Sequence, residues 1–230
     1  MTAWGFGLIG TWLIFLATRR VYRIAQSALL NPMVTSVAAL SAILLFFHLP
    51  YSSWSTGAHW YTAMLGPATV AFAVPLYKHF ATLKRHALEM SAALLAGSIT
   101  AILSTIALAR GLHLSNLMVD SLAPRSVTTP IAMAVSNRVG GSPDLTAIFV
   151  ILTGVIGTLI GPKLVRLLRL KHGVAIGTLL GMGAHGIGTA RAFEFSDLIG
   201  TISSLTMIIA GFVASIAIPI AVFLFNISPK

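Results

Sequence analysis

Charge-free runs constrain this chain more than any other feature. No Asp, Glu, Lys or Arg occurs from Ile24 to Tyr77, from Met90 to Ala109, from Leu145 to Pro162, or from Leu198 to Pro229. A helix crossing a bilayer needs about 20 mostly apolar residues, so each run holds at least one candidate span. Composition agrees: 57% of residues are hydrophobic and 9% charged, against about 25% charged in an ordinary soluble domain. Mean hydropathy is +0.92. With 230 residues, no room is left for a separate extramembrane domain, and the chain reads as a single membrane domain.

The formal net charge of +10 does not point to nucleic acid. Lys and Arg sit in short clusters between apolar runs, at 19–23, 78–85 and 163–171, as positive-inside topology requires. Cysteine is absent, which excludes disulfides, thiol nucleophiles and Cys-ligated metals. The seven His are scattered without a ligand spacing, so no metal or other cofactor is expected. No GxSxG occurs and no enzymatic activity is expected. Trp4–Ala17 has no basic stretch before it, and reads as a retained span.

The expected architecture is all-α and polytopic, with about seven hydrophobic segments. Trp4–Ala17 is the first, ended by Arg19, Arg20 and Arg23. Asn31-Pro32 reads as a cap followed by a first-turn proline, opening a helix through about Phe47. His48–Tyr61, with Trp54, Trp60, Tyr51 and Tyr61, suits the outer interface. Thr62–Tyr77 is expected to kink at Gly66-Pro67 and Pro75, and Ala87–Ala109 to pack closely through its small residues. Gly111–Leu122 reads as a loop. Asp144–Gly161 is a long helix ended by Gly161-Pro162, followed by glycine-rich Gly173–Thr189 and by Leu198–Phe225. A weak internal repeat pairs TGVIGTLIGP (Thr153–Pro162) with AGFVASIAIP (Ala210–Pro219), each after a polar break.

Those breaks carry the chemistry. Ser121–Gly141 reads SLAPRSVTTPIAMAVSNRVGG and Gly181–Asp197 reads GMGAHGIGTARAFEFSD. Polar, Pro- and Gly-bearing stretches between membrane helices mark interrupted or re-entrant half-helices lining a cavity, because unpaired backbone is not tolerated against lipid. In the first, Thr129 is expected to cap a half-helix starting at Pro130. Arg125 and the hydroxyls of Ser126, Thr128 and Thr129 precede its N-terminus, and Asn137 follows within it. A forked cation, hydroxyl donors and a helix N-terminus suit a small anion. In the second, Gly186 and Gly188 relax the backbone, Thr189 can cap, and Arg191 with Glu194 opens the next helix. His185 can donate to an anion or carry a coupled proton. The competing reading makes Arg191 and Glu194 an i,i+3 surface pair.

At these residues the chain closely resembles the LrgB/CidB family. LAPRSVTTPIAMAVSNRVGG (Leu122–Gly141), SPDLTAIFVILTGVIGTLIGP (Ser142–Pro162) and AHGIGTARAFE (Ala184–Glu194) look like its signatures. The resemblance runs from about Gly66 to the C-terminus, dividing the chain into variable N-terminal helices (1–61) and a core (62–230). Arg125 stands where many members carry Lys, which turns a point charge into a fork. The resemblance implies two functions. One is a holin- or antiholin-like modulator of murein hydrolase activity and autolysis that oligomerises, usually with a smaller LrgA/CidA-type membrane partner. The other is transport of small carboxylates such as glycolate, glycerate and pyruvate. The two Arg–Thr breaks favour the second, in a bacterial cytoplasmic membrane. Arg125 and Arg191 would then hold the carboxylate, with Ser126, Thr128, Thr129 and Thr189 bonding its oxygens.

Overall fold

The computed structural model describes residues 5–25, 30–71 and 73–226. They form helices and turns with no strand among them. The chain divides into two compact units, Met1–Ala73 and Val74–Lys230, where the sequence reads as one domain with a boundary at residue 61.

In the first unit a π-helical turn, Phe6–Gly10, leads into α1 (Thr11–Ala25), followed by α2 (Pro32–Phe46) and α3 (Tyr51–Ala71). The expected start at Trp4 lies outside the described residues. Arg19, Arg20 and Arg23 do not end α1, which runs through them; Arg is a good helix former. Asn31 caps α2 as expected, its side chain accepting from the Met33 N–H at 2.9 Å. Most of His48–Tyr61 is helical and lies in α3. Its aromatics tie α3 to the preceding turn and α1, the Trp54 indole donating to Thr11 Oγ1 at 2.9 Å and the Tyr61 hydroxyl to the Leu8 carbonyl at 2.6 Å. α3 runs continuously through Gly66-Pro67 and carries Pro67 within it.

The second unit holds α4 (Ala73–Lys78), α5 (Phe80–Arg85), α6 (Ala87–Gly111), α7 (Asn116–Leu122), a 3-10 turn (Ala123–Ser126), α8 (Thr129–Val139), α9 (Pro143–Leu167), α10 (Gly173–Phe195) and α11 (Asp197–Asn226). Among the described residues, three helices are long and apolar enough to cross a membrane: Ala87–Gly111, Pro143–Leu167 and Asp197–Leu224. The expected loop at Gly111–Leu122 contains α7, opened by Ser115, whose hydroxyl accepts from the Met118 N–H. Gly161-Pro162 does not end α9, which carries Pro162 inside it. α11 carries Pro219 likewise. Proline is tolerated inside membrane helices, where neighbouring helices and hydroxyl side chains can satisfy the freed backbone group.

Polarity in this unit is inverted relative to a soluble protein. On α11 the hydroxyls of Thr201, Ser203, Ser204 and Thr206 are buried, while Phe212, Ile216 and Phe223 are about two-thirds exposed. Large apolar side chains outside and hydroxyls inside are stable only where the surrounding solvent is itself apolar. The chain is a membrane protein.

Candidate functional site

The 3-10 turn Ala123–Ser126 is the hub of the second unit. It packs against α6, α7, α8, α9, α10 and α11, and Ala123 and Pro124 are buried. Hydroxyls anchor its flanks. Thr146 on α9 donates to the Ser121 carbonyl at 2.9 Å and lies 2.7 Å from Ser136 Oγ of α8, while the Ser142 N–H donates to Ser121 Oγ at 2.8 Å.

This framework carries Arg125 into the helix bundle. Its Nε donates to Thr105 Oγ1 of α6 at 3.0 Å and its Nη1 to Thr153 Oγ1 of α9 at 3.5 Å. A guanidinium has five N–H donors and no acceptor, so the rest of the fork is uncommitted among the described residues. No carboxylate pairs with it there; the ion pairs formed are His86–Glu89 and Arg191–Glu194. A partly desolvated cation without a counter-ion is costly, and in a membrane interior it marks a functional position.

Next to Arg125 lies a broken helix. α10 is interrupted at His185, whose φ of 47° and ψ of −129° are not helical. A non-glycine residue held there costs about 1–3 kcal/mol and persists only where the surroundings impose it. Gly188 is part of that imposition: a Cβ at this position would lie 2.3 Å from the Leu180 carbonyl of the first half-helix. Gly157 of α9 allows equally close approach, with the Gly183 carbonyl 2.4 Å from where its Cβ would be. His185 is only 3% exposed, and neither ring nitrogen has a hydrogen-bond partner. The ring sits close enough to Arg125 to interact with both its backbone and its charge.

The remaining residues named from sequence are placed differently. α8 begins one residue earlier than expected: Thr128, not Thr129, is the cap, in extended conformation, and its side chain makes no capping bond. Pro130 and Asn137 are exposed on α8. Ser126 lines a small cavity of about 10 Å³ with Ser98, Ile102, Val127, Met182, Ala214 and Ile218. Thr189 does not cap the second half of α10, because the break falls at His185. It is buried and shares a 3.0 Å hydroxyl contact with Ser203 of α11. Gly186, directly after the break, has open space where a Cβ would stand. Arg191 is engaged by Glu194 and lies 5.6 Å from the Phe195 ring centroid. Sequence reasoning missed Thr105, Thr153 and Ser203, since single hydroxyls in apolar helices carry no signal until another element meets them.

Fold and site define an all-helical membrane protein whose interior holds an arginine without a counter-ion beside a strained, unpartnered histidine. The chain belongs to the LrgB-like family, which it matches over residues 11–224. It is 47% identical over 209 residues to the uncharacterized protein YwbG of Bacillus subtilis (strain 168), covering 91% of this chain and 93% of that protein. The antiholin-like protein LrgB of the same organism is 31% identical over 194 residues, 84% of each chain. The holin-like protein CidB of Staphylococcus aureus (strain N315) is 29% identical over 215 residues, 94% of each chain. No solved structure matches the chain.

Proposed function

We propose that this protein carries a small monocarboxylate of the glycolate, glycerate or pyruvate kind across a bacterial cytoplasmic membrane. The observation that carries this reading is Arg125, held inside the bundle by Thr105 and Thr153 with most of its donors uncommitted. A carboxylate would complete that fork bidentately, and two oxygens of a 2-hydroxy or 2-oxo acid would engage Ser126 and the buried His185. α8 has 11 residues, about 16 Å of helix, roughly half a bilayer. That length supports a re-entrant arrangement in which α8 and the broken α10 bring backbone N–H groups to the anion, as discontinuous helices do in transporters. Thr128, Thr129, Gly186, Gly188 and Thr189 would then shape the cradle, with Arg191 and Glu194 at its margin.

A second reading rests on two of the relatives, holin-like CidB and antiholin-like LrgB. It makes the chain an oligomeric modulator of autolysis, working with a smaller LrgA/CidA-type partner or with further copies of itself, and binding no substrate. One experiment separates the two. Purified protein in proteoliposomes, with and without an LrgA-type partner, is offered labelled pyruvate, glycolate and glycerate. Saturable uptake that is lost in Arg125→Ala establishes transport. Leakage of unrelated solutes of similar size, indifferent to Arg125, establishes the pore-like reading and dismisses the site.

A further inference from the structure

The second unit contains a cavity of about 1000 Å³ that the site above does not use. Its wall is formed by the α5–α6 junction (Thr82, His86, Glu89, Met90), where Glu89 is held by His86, by the end of α9 and the loop after it (Leu168, His172), by α10 as far as Gly183, and by Leu198 of α11. These linings adjoin Lys84 and Arg85 on one side and Arg169 and Lys171 on the other in sequence, so the mouth lies at the basic end of the unit. Among the lining groups is Thr178, whose hydroxyl is buried without a hydrogen-bond partner.

One side chain borders two cavities. Met182 lines both the large cavity and the 10 Å³ cavity at Ser126. Opposite it on α6 stands Gly97, where a Cβ would lie 2.6 Å from the Met182 terminal methyl and 2.7 Å from its sulfur. Two helices therefore run in step from the mouth towards Arg125. Along α6 they pass Ala93, Gly97 and Ser98; along α10 they pass Thr178, Met182 and His185. Ala93 to Ser98 is about 7 Å of helix, so the two spaces lie close together along α6, with Met182 on the wall of both. Methionine suits that position: it is unbranched, flexible and readily repacked.

We propose that the large cavity is the aqueous vestibule through which a small anion reaches Arg125 from the basic end, and that Met182, seated against Gly97, is the gate. The inference rests on the transport reading above, and adds to it the side from which the site is approached in this conformation. Flanking Lys and Arg attract the anion to the mouth. Movement of one unbranched side chain joins the vestibule to the cavity at Ser126.

The chain has no cysteine, so single-cysteine variants report access without background. Membrane-impermeant methanethiosulfonate ethylsulfonate, itself a small anion, is applied to each face of sealed vesicles. Lys84→Cys identifies the basic face. Thr178→Cys should be labelled from that face and protected from the other. Ser126→Cys should react slowly, and adding Met182→Ala should accelerate it by at least about tenfold, or about 1.4 kcal/mol off the barrier. Ser98→Cys, on the same small cavity, serves as second reporter should Ser126→Cys not elute as folded protein. A silent Thr178→Cys means the cavity is filled by lipid, and overturns the vestibule. Unchanged rates at both reporters on removing Met182 overturn the gate. Labelling needs no transport: Arg125-independent uptake defeats the transport reading, whereas Arg125-dependent uptake without labelling defeats only this inference.

Discussion

The two polar stretches hold the same ingredients, an Arg, Thr hydroxyls and helix-breaking residues, yet the fold treats them differently. Arg125 sits on a short turn packed on every side by helices, and its partners are neutral hydroxyls on α6 and α9. Arg191 sits within α10, three residues before Glu194, with side chains 25% and 46% exposed. A carboxylate one helical turn away satisfies the charge locally, and there is nothing left for a ligand to do. Where the nearest groups are threonines, the charge stays open. The absence of a local counter-ion, more than the presence of an arginine, distinguishes a binding position from a surface pair.

That contrast can be broken by mutation, and the largest effect belongs to Arg125. Arg125→Ala should lower carboxylate uptake by about 1.5–3 kcal/mol, roughly 10- to 150-fold, while insertion and elution in detergent stay normal. Arg125→Lys should recover part of it, since charge returns without the fork. Uptake unchanged in Arg125→Ala would remove this residue from the site.

The break in α10 supplies the next effect, on stability. Gly188→Ala forces a methyl onto the Leu180 carbonyl and should cost about 1–3 kcal/mol, read as a lower melting temperature in detergent. Gly186→Ala, into open space, is its control and should melt at or above the parent. Equal losses in both would mean the close approach at Gly188 does not hold the break.

Thr105→Val keeps the volume and deletes the 3.0 Å bond to Arg125. It should weaken uptake by about 1 kcal/mol, roughly fivefold, measured as a raised half-saturation concentration. Smallest is Arg191→Ala. Exposed pairs contribute about 0–1 kcal/mol, so uptake and melting should barely move. A loss at Arg191 as large as at Arg125 would restore the symmetric two-arginine site that the sequence suggests and erase the contrast.

Much of this architecture is legible before folding. Three of the four charge-free runs fall on the helices long and apolar enough to cross a membrane among the described residues, Asn31-Pro32 marks the start of α2, and Arg125 and His185 stand out as ionisable residues in apolar surroundings. Helix ends were the weaker inference. Pro162 and the Arg19–Arg23 cluster read as boundaries, yet helices run through both; Arg is a good helix former, and proline is tolerated inside membrane helices where the freed backbone group finds another partner.

The sequence by itself determined that this chain is helical, embedded in lipid, and of the LrgB-like family, because hydropathy and motif content are properties of residue order alone. Only the tertiary structure decided which arginine is open and which is spent. It also decided that Thr105 and Thr153 hold Arg125, and that Met182 lines two cavities at once. Those facts depend on which helix faces meet, and a lone threonine or methionine in an apolar helix has no partner until another helix arrives to provide one.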